Sequence, residues 1–267
     1  MKNNEVVLIT GCSSGIGREL SLMLSDKGYT VVATARNANT LIDLPVSFKL
    51  PLDVTDKESI SQAVNEIVSK FQRIDILINN AGFSVRGAME EICPESMKSM
   101  FDVNVFGIVN VIQAVVPVMR RNQYGKIINI GSISGKFTQP INGVYCASKH
   151  AVEALSDALR YELHNQNIQV TVIEPGPIQT NFFKTMDKQS DKWMENPAPV
   201  YKSLYAMDAK RKEKQSYTEP NKVAEMIGKI IGKERLKSRY EVAVPNLYSM
   251  FARFPYSLRD YLMMTSR

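Results

Sequence analysis

Seven short β-branched runs recur along this chain with longer helical patterns between most of them, and that alternation limits the possible folds more than any other feature. The runs lie at residues 5–10 (EVVLIT), 30–35 (TVVATA), 46–53 (VSFKLPLD), 74–79 (IDILIN), 126–131 (KIINIG), 169–174 (QVTVIE) and 240–244 (YEVAV). Helices are predicted at about 15–27, 56–72, 94–122, 143–166 and 220–234, whereas 36–45 is too short for a full one. Thr55 and Asp56 ahead of Glu58 give the second helix a cap and an acid in its first turn. Parallel strands need crossover connections of about a dozen residues or more, usually helical, and these spacings supply them. A chain of 267 residues is compatible with one such core, since α/β folds of 200 to 250 residues often stay single.

Directly after the first strand stands T-G-C-S-S-G-I-G, Thr10 to Gly17, opening a helix. Glycines there let the backbone turn sharply and approach a pyrophosphate, while the helix N-terminus offers free N–H groups and the positive end of its dipole. A tight strand-to-helix turn without a ligand uses the same residues, so the turn gains its meaning from its place after strand one. The fold expected is a single-domain Rossmann fold of the α/β class: a doubly wound, seven-stranded parallel sheet with helices on both faces, spanning 1–267. The stretch from Gly176 to Pro220 breaks the rhythm with no clean strand and is expected to be an irregular substrate lid over about 177–219. A helical extension follows at about 246–267.

Further marks follow in order: Asp53-Val54, N-N-A-G at Asn79 to Gly82, Asn104, Ser132, Y-x-x-x-K at Tyr145 to Lys149, and Pro175-Gly176. Together with the glycine turn they resemble the short-chain dehydrogenase/reductase family; within it, C-S-S-G-I-G, V-V-A-T-A-R, the long region after Pro175 and the extended C-terminus look most similar to the 17β-hydroxysteroid / retinol dehydrogenase-like branch and to 1-acyl dihydroxyacetone phosphate reductases, which the motifs do not distinguish. The resemblance implies an NAD(P)-dependent oxidoreductase interconverting a ketone or aldehyde and an alcohol. It implies cofactor contacts from Gly11, Ser13, Ser14, Gly15, Ile16 and Gly17, from Asp53 and Val54 at the adenine, and from Asn80, Ala81 and Gly82 beneath the adenine ribose. It adds Tyr145, Lys149, Pro175, Gly176 and Ile178, with Thr180 near the nicotinamide carboxamide. As plain structure, N-N-A-G is a strand ending in a tight turn, and Thr180-Asn181 suits a helix N-cap.

Tyr145 and Lys149 stand four residues apart on a predicted helix, so both project from one face. Carbonyl reduction needs an acid for the developing alkoxide and alcohol oxidation its conjugate base, yet a free tyrosine has a pKa of about 10. A nearby ammonium and the positive ring of the oxidised cofactor are expected to lower it. The resemblance assigns Ser132 to the substrate oxygen, gives Lys149 a grip on the nicotinamide ribose, and has Asn104 organise a water and proton path toward Lys149. These four are the catalytic residues expected.

The second strand ends at Ala35-Arg36, where an acid for the ribose hydroxyls of NAD would stand. A guanidinium suits a 2′-phosphate instead, and Ser13 can add a hydroxyl, so NADP(H) is favoured over NAD(H). The other reading is that Arg36 points to water. No metal is expected, because His150 and His164 share one predicted helix with no acid or cysteine cluster at ligand spacing.

The formal charge of +6 comes from 33 basic residues spread among 27 acidic ones, which argues against nucleic-acid binding. The run Val103 to Met119 is interrupted by Asn104, Asn110, Gln113 and Pro117 and reads as a buried helix, not a transmembrane segment. The first strand begins almost at once, so no signal peptide is expected. Cys12, Cys93 and Cys146 form no C-x-x-C pair, and reduced thiols in a cytoplasmic protein are the expectation. The resemblance also implies a homodimer or homotetramer through the long helices holding Asn104 and Tyr145.

The partner expected is a small-molecule carbonyl or alcohol with a bulky apolar body, such as a steroid, retinoid or lipid. Phe182, Phe183, Met186, Trp193 and Met194 supply adaptable apolar contacts in the lid. In the tail, Leu247, Met250, Phe251 and Phe254 form one helical stripe, and Pro255 starts a second helix with Leu258, Tyr261 and Leu262. That stripe suits a pocket cap, the protein's own core, a sister subunit or a peripheral membrane contact alike. A non-catalytic NADP sensor or scaffold and a reductase of smaller polar carbonyls are the alternatives.

Overall fold

The computed structural model describes residues 4–265, without the side chains of residues 183, 184, 187–189, 191 and 192. Seven strands form where the β-branched runs lie: β1 (Val6–Ile9), β2 (Thr30–Ala35), β3 (Phe48–Pro51), β4 (Ile76–Asn79), β5 (Gly125–Ile130), β6 (Ile168–Pro175) and β7 (Arg239–Val242). All pairings are parallel, in the order β3-β2-β1-β4-β5-β6-β7. The order reverses between β1 and β4, and the crevice beyond the carboxyl ends of those strands is where an open α/β sheet takes its ligands.

Successive side chains of a strand face opposite sides, and here both sides are covered. Val7 and Ile9 pack with Leu20 and Leu24 of α1 (Gly15–Asp26) and Val223 and Ile227 of α8 (Asn221–Ile230). Val6 and Leu8 pack with Ile60 and Val64 of α2 (Lys57–Phe71) and Val111 and Val115 of α4 (Gly107–Arg121). Asp56 caps α2, its side chain accepting the Glu58 N–H at 2.9 Å.

The long helix expected over 94–122 is interrupted. It comprises α3 (Pro94–Phe101), a π-type turn over Asp102–Phe106, and α4. Residues 94–121 are long and apolar enough to cross a membrane by length and composition, but Val111, Val115 and Met119 are wholly buried against the sheet. Next, α5 (Gly143–Glu162) ends sooner than expected, so His164 falls in a separate 3-10 turn instead of sharing a helix with His150.

The stretch 176–220 is not irregular: it holds α6 (Asn181–Met194) and α7 (Lys202–Glu213). Met186, Ser190 and Trp193, spaced four and three apart, give α6 one buried face. By contrast α7 buries only Tyr205 and Asp208, and a helix so polar leaves little apolar period to read. Two short helices, α9 (Asn246–Phe251) and α10 (Tyr256–Thr265), close the chain. Phe251 packs edge-on against Phe137 at 5.1 Å, while Leu247, Met250, Leu258, Tyr261 and Leu262 are exposed. Among the described tail residues Tyr248 alone lines the cleft, and none of the stripe residues does.

Candidate active site

One cleft of about 510 Å³ opens along the carboxyl ends of the strands. Its first wall is the β1–α1 turn, where Gly11 and Gly15 have φ of +73° and +60°, a region that disfavours residues with a Cβ. Asn80 ties this turn to the end of β4: its Nδ2 donates to the carbonyls of Thr10 and Gly11, each at 2.9 Å. In return the Thr10 hydroxyl accepts the main-chain N–H groups of Asn80 and Ala81. Gly17 does not line the cleft; a Cβ there would stand 2.4 Å from the Gly11 carbonyl oxygen, so its role is to let helix and turn close on each other.

These residues fit a dinucleotide. Ser14 is the N-cap of α1 but makes no side-chain cap bond, leaving the first-turn N–H groups without a side-chain acceptor, as an anion site requires. A Cβ on Gly15 would lie 3.1 Å from the Thr180 methyl group, filling the space between the turn and the opposite wall. Ser13, Ser14, Ile16 and Arg36 line one end of the cleft, followed by Asp53, Val54, Asn80, Ala81 and Gly82. Pro175, Gly176, Ile178 and Thr180 line the far side. Arg36 is exposed at the end of β2, and the Thr180 hydroxyl accepts the Phe182 N–H at 3.2 Å, so the N-cap reading of Thr180 holds beside its place on the cleft.

Ser132, Tyr145 and Lys149 meet at the other end. Ser132 follows β5 and opens a 3-10 turn, its Oγ accepting the Ser134 N–H at 3.1 Å. Lys149 lies one turn beyond Tyr145 on α5; its Nζ donates to the Ile130 carbonyl at 2.8 Å and stands 5.7 Å from the centre of the Tyr145 ring. Phe182 packs edge-on against that ring at 5.7 Å.

Burial pushes the Tyr145 pKa above its ordinary value, with a hydrogen bond to Ser132 pulling the other way. The same burial brings the Lys149 amine down to about 8, partly offset by Glu153 one turn further along α5. Glu174 of β6, facing Glu153, Lys136 and Arg239, is pushed up to about 6, first by burial and then by Glu153. This buried carboxylate pair behind Lys149 has no signature in the sequence.

Asn104 is buried and does not line the cleft. Its Oδ1 accepts the Phe83 N–H at 3.0 Å, and its Nδ2 donates to the Phe83 carbonyl at 2.8 Å and the Ser148 hydroxyl at 3.3 Å. The π-type turn thus clips the loop after β4 to α5 just beside Lys149, and single π-turns of this kind occur often at functional sites.

Of the expected lid residues, Phe182 and Met186 line the cleft. The Phe183 side chain lies outside the described residues. Trp193 does not reach the cleft: it is buried with Val85, Ile92 and Val144, its Nε1 donating to the Arg86 carbonyl, and Met194 packs beside it. Position along α6 explains this, since by residue 193 the helix has passed beyond Tyr145 and over the 85–92 loop. Sequence reading also missed the polar lining of this end, Arg86, Gln139, Asn142, Arg211 and Gln215. Arg86 alone left a trace, as one cation within the otherwise small and apolar run F-S-V-R-G-A.

Comparisons with known proteins give the family and the fold. A family model described as short chain dehydrogenase matches residues 5–191. The 3-ketodihydrosphingosine reductase of Bacteroides thetaiotaomicron is 36% identical over 259 residues, 97% of this chain and 95% of that protein. A probable short-chain type dehydrogenase/reductase, VdlC, of Helicobacter pylori is 35% identical over 96% of both chains. Among solved structures, a short-chain dehydrogenase from Streptomyces avermitilis superposes with a TM-score of 0.79 at 28% identity, covering 100% of this chain and 97% of that one. A serine dehydrogenase complexed with NADP+ gives 0.75 at 28% identity, over 88% and 93%.

Proposed function

This chain belongs to the short-chain dehydrogenase family and is an oxidoreductase of CH–OH groups with a nicotinamide cofactor, and on that premise we propose that it reduces a ketone on a bulky, largely apolar molecule using NADPH. One observation carries the reading: a single cleft joins the glycine turn and Arg36 at one end to Ser132, Tyr145 and Lys149 at the other. When bound, the cofactor supplies the hydride.

In this reading the protein's own groups do the rest. Ser132 holds the carbonyl oxygen, and the Tyr145 Oη delivers the proton to it. A phenol whose pKa is raised by burial is protonated throughout the physiological range and is in the acid form that ketone reduction requires. The Lys149 ammonium offsets the charge left on the phenol after the proton departs. Asn104 positions this group by clipping the loop after β4 to α5.

Arg36, exposed beside Ser13 and Ser14 with no acid at the end of β2, supports NADP(H) as the preferred cofactor. Residues 177–219 act as the lid, with Phe182 and Met186 of α6 as its apolar contacts. The relative named for 3-ketodihydrosphingosine, a ketone, is consistent with that substrate class. Kinetics with NADPH against small polar ketones, steroid ketones and long-chain ketones test it. At least one bulky series is expected to exceed the small polar series by about tenfold or more in kcat/KM, an apolar contribution of roughly 1.4 kcal/mol. Faster turnover of the small polar ketones sinks the substrate assignment.

A further inference from the structure

The substrate end of the cleft is not uniformly apolar. Arg86, in the loop between β4 and α3, lines it with a side chain only 4% exposed. Its Nη2 donates to one oxygen of Asp208 on α7, a carboxylate itself 7% exposed. The other oxygen of Asp208 accepts from Arg211 Nη2 at 2.8 Å, and Arg211 Nη1 donates to Gln139 Oε1 at 2.8 Å. Arg211 and Gln139 line the same cleft, as does Lys212.

One buried carboxylate serves two guanidinium groups, so the cluster carries a net charge of +1, and among the described residues neither arginine has a second carboxylate partner. The carboxylate of Glu91 is taken by the Tyr205 hydroxyl and the Ala198 N–H, each at 2.7 Å. Arg86 Nη1 is buried with no acceptor among the described residues. Leaving a buried cation partly unpaired is costly, and a site that does so gains when an anion arrives.

We propose that this cluster receives an anionic group, a carboxylate or a phosphate, carried by the substrate whose carbonyl lies at Tyr145. The planar fork of arginine matches both anions through paired, charge-assisted bonds, which a lysine would not. Phe182 and Met186 then take the apolar body, so the substrate is an amphipathic anion. This rests on the reading that Ser132, Tyr145 and Lys149 handle a carbonyl, and the experiment separates the two.

Titration calorimetry on the full chain loaded with NADPH uses four unreactive probes of one chain length: n-decanoate, n-decyl phosphate, methyl decanoate and n-decylamine. At least one anion is expected to bind about tenfold or more tightly than the neutral ester, the size of a single charge-assisted hydrogen bond; the stronger of the two identifies its source as carboxylate or phosphate. Arg86→Met is expected to erase that preference. Because Arg86 is buried and its loss risks the fold, Arg211→Gln at a side chain 41% exposed is the second variant, expected to reduce the preference several-fold. Equal affinity for ester and anions, tighter binding of the amine, or an anion preference untouched by Arg211→Gln overturns the proposal. Binding here does not depend on turnover, so an anion preference without ketone reduction faults the carbonyl chemistry alone, and ketone reduction without the preference faults the anion site alone.

Discussion

The β1–α1 turn and the helices α6 and α7 border one cleft, yet they are held by different kinds of contact. At the turn, main-chain groups carry the structure: Thr10, Gly11, Asn80 and Ala81 bond through the backbone and two short side chains. Beneath α6 and α7 the ties come from long side chains: Arg86 pairs with Asp208 and Tyr205 with Glu91, while Trp193 donates to the Arg86 main-chain carbonyl. A backbone cradle recognises what every dinucleotide shares, whereas side-chain pairs can be exchanged without disturbing the sheet. On the reading proposed above, the first region sets the cofactor and the second the substrate, in keeping with the general division between rigid scaffold and variable loops.

The sharpest way to break this comparison is a change where the two regions meet. Tyr145→Phe removes the proposed proton donor together with its hydrogen bond to Ser132, and is expected to lower kcat for ketone reduction by about 10²- to 10⁴-fold. The NADPH dissociation constant, followed by quenching of Trp193 fluorescence or by calorimetry, is expected to stay within about twofold. Reduction at the unaltered rate removes Tyr145 from the chemistry, and a large loss of NADPH affinity means that the two regions are not separable at this residue.

Arg36→Asp sharpens the same contrast from the cofactor side. It exchanges a donor for the 2′-phosphate for an acceptor suited to ribose hydroxyls, so the ratio of kcat/KM for NADPH over NADH is expected to fall by roughly 10- to 100-fold, the worth of one or two charge-assisted bonds. The order of preference among ketones is expected not to change. Equal use of both cofactors by the unaltered protein contradicts the assignment of Arg36, and a reordered ketone preference contradicts the separation of the regions.

The smallest effect is in the pH profile. Burial brings Lys149 down to about 8, so the ammonium is present below that pH and is lost as pH rises through it. Tyr145 is shifted the other way and stays a phenol over the same range. The value of kcat/KM for NADPH, which reports the free enzyme, is thus expected to be level below about pH 8 and to decline above it. A profile level to pH 10 shows that the Lys149 charge does not assist proton transfer.

Much of the cofactor region was legible in the chain before folding. Strand alternation in V-V-L-I assigns Val6 and Leu8 to one face and Val7 and Ile9 to the other, and the four-residue step from Tyr145 to Lys149 stacks both on one side of α5. These are local periodicities, properties of a few consecutive residues in one backbone conformation. The π-type turn at Asn104 left no such mark, because its extra residue is matched by bonds to Phe83 and Ser148, neither of them a neighbour in sequence. The polar α7 was read as irregular for a different reason, the lack of an apolar period along it.

What only tertiary structure decided lies at the substrate end. Arg86 and Asp208 stand 122 residues apart, and no rule of spacing links a cation after N-N-A-G to an acid in the middle of α7. Their meeting depends on where α6 and α7 come to rest against the loop after β4. That placement is set by burial of Trp193, Met186 and Tyr205 together, not by the conformational preference of any segment. The glycine turn is written in consecutive residues, so the sequence alone revealed it, whereas the cluster of Arg86, Asp208 and Arg211 arises only when distant segments pack.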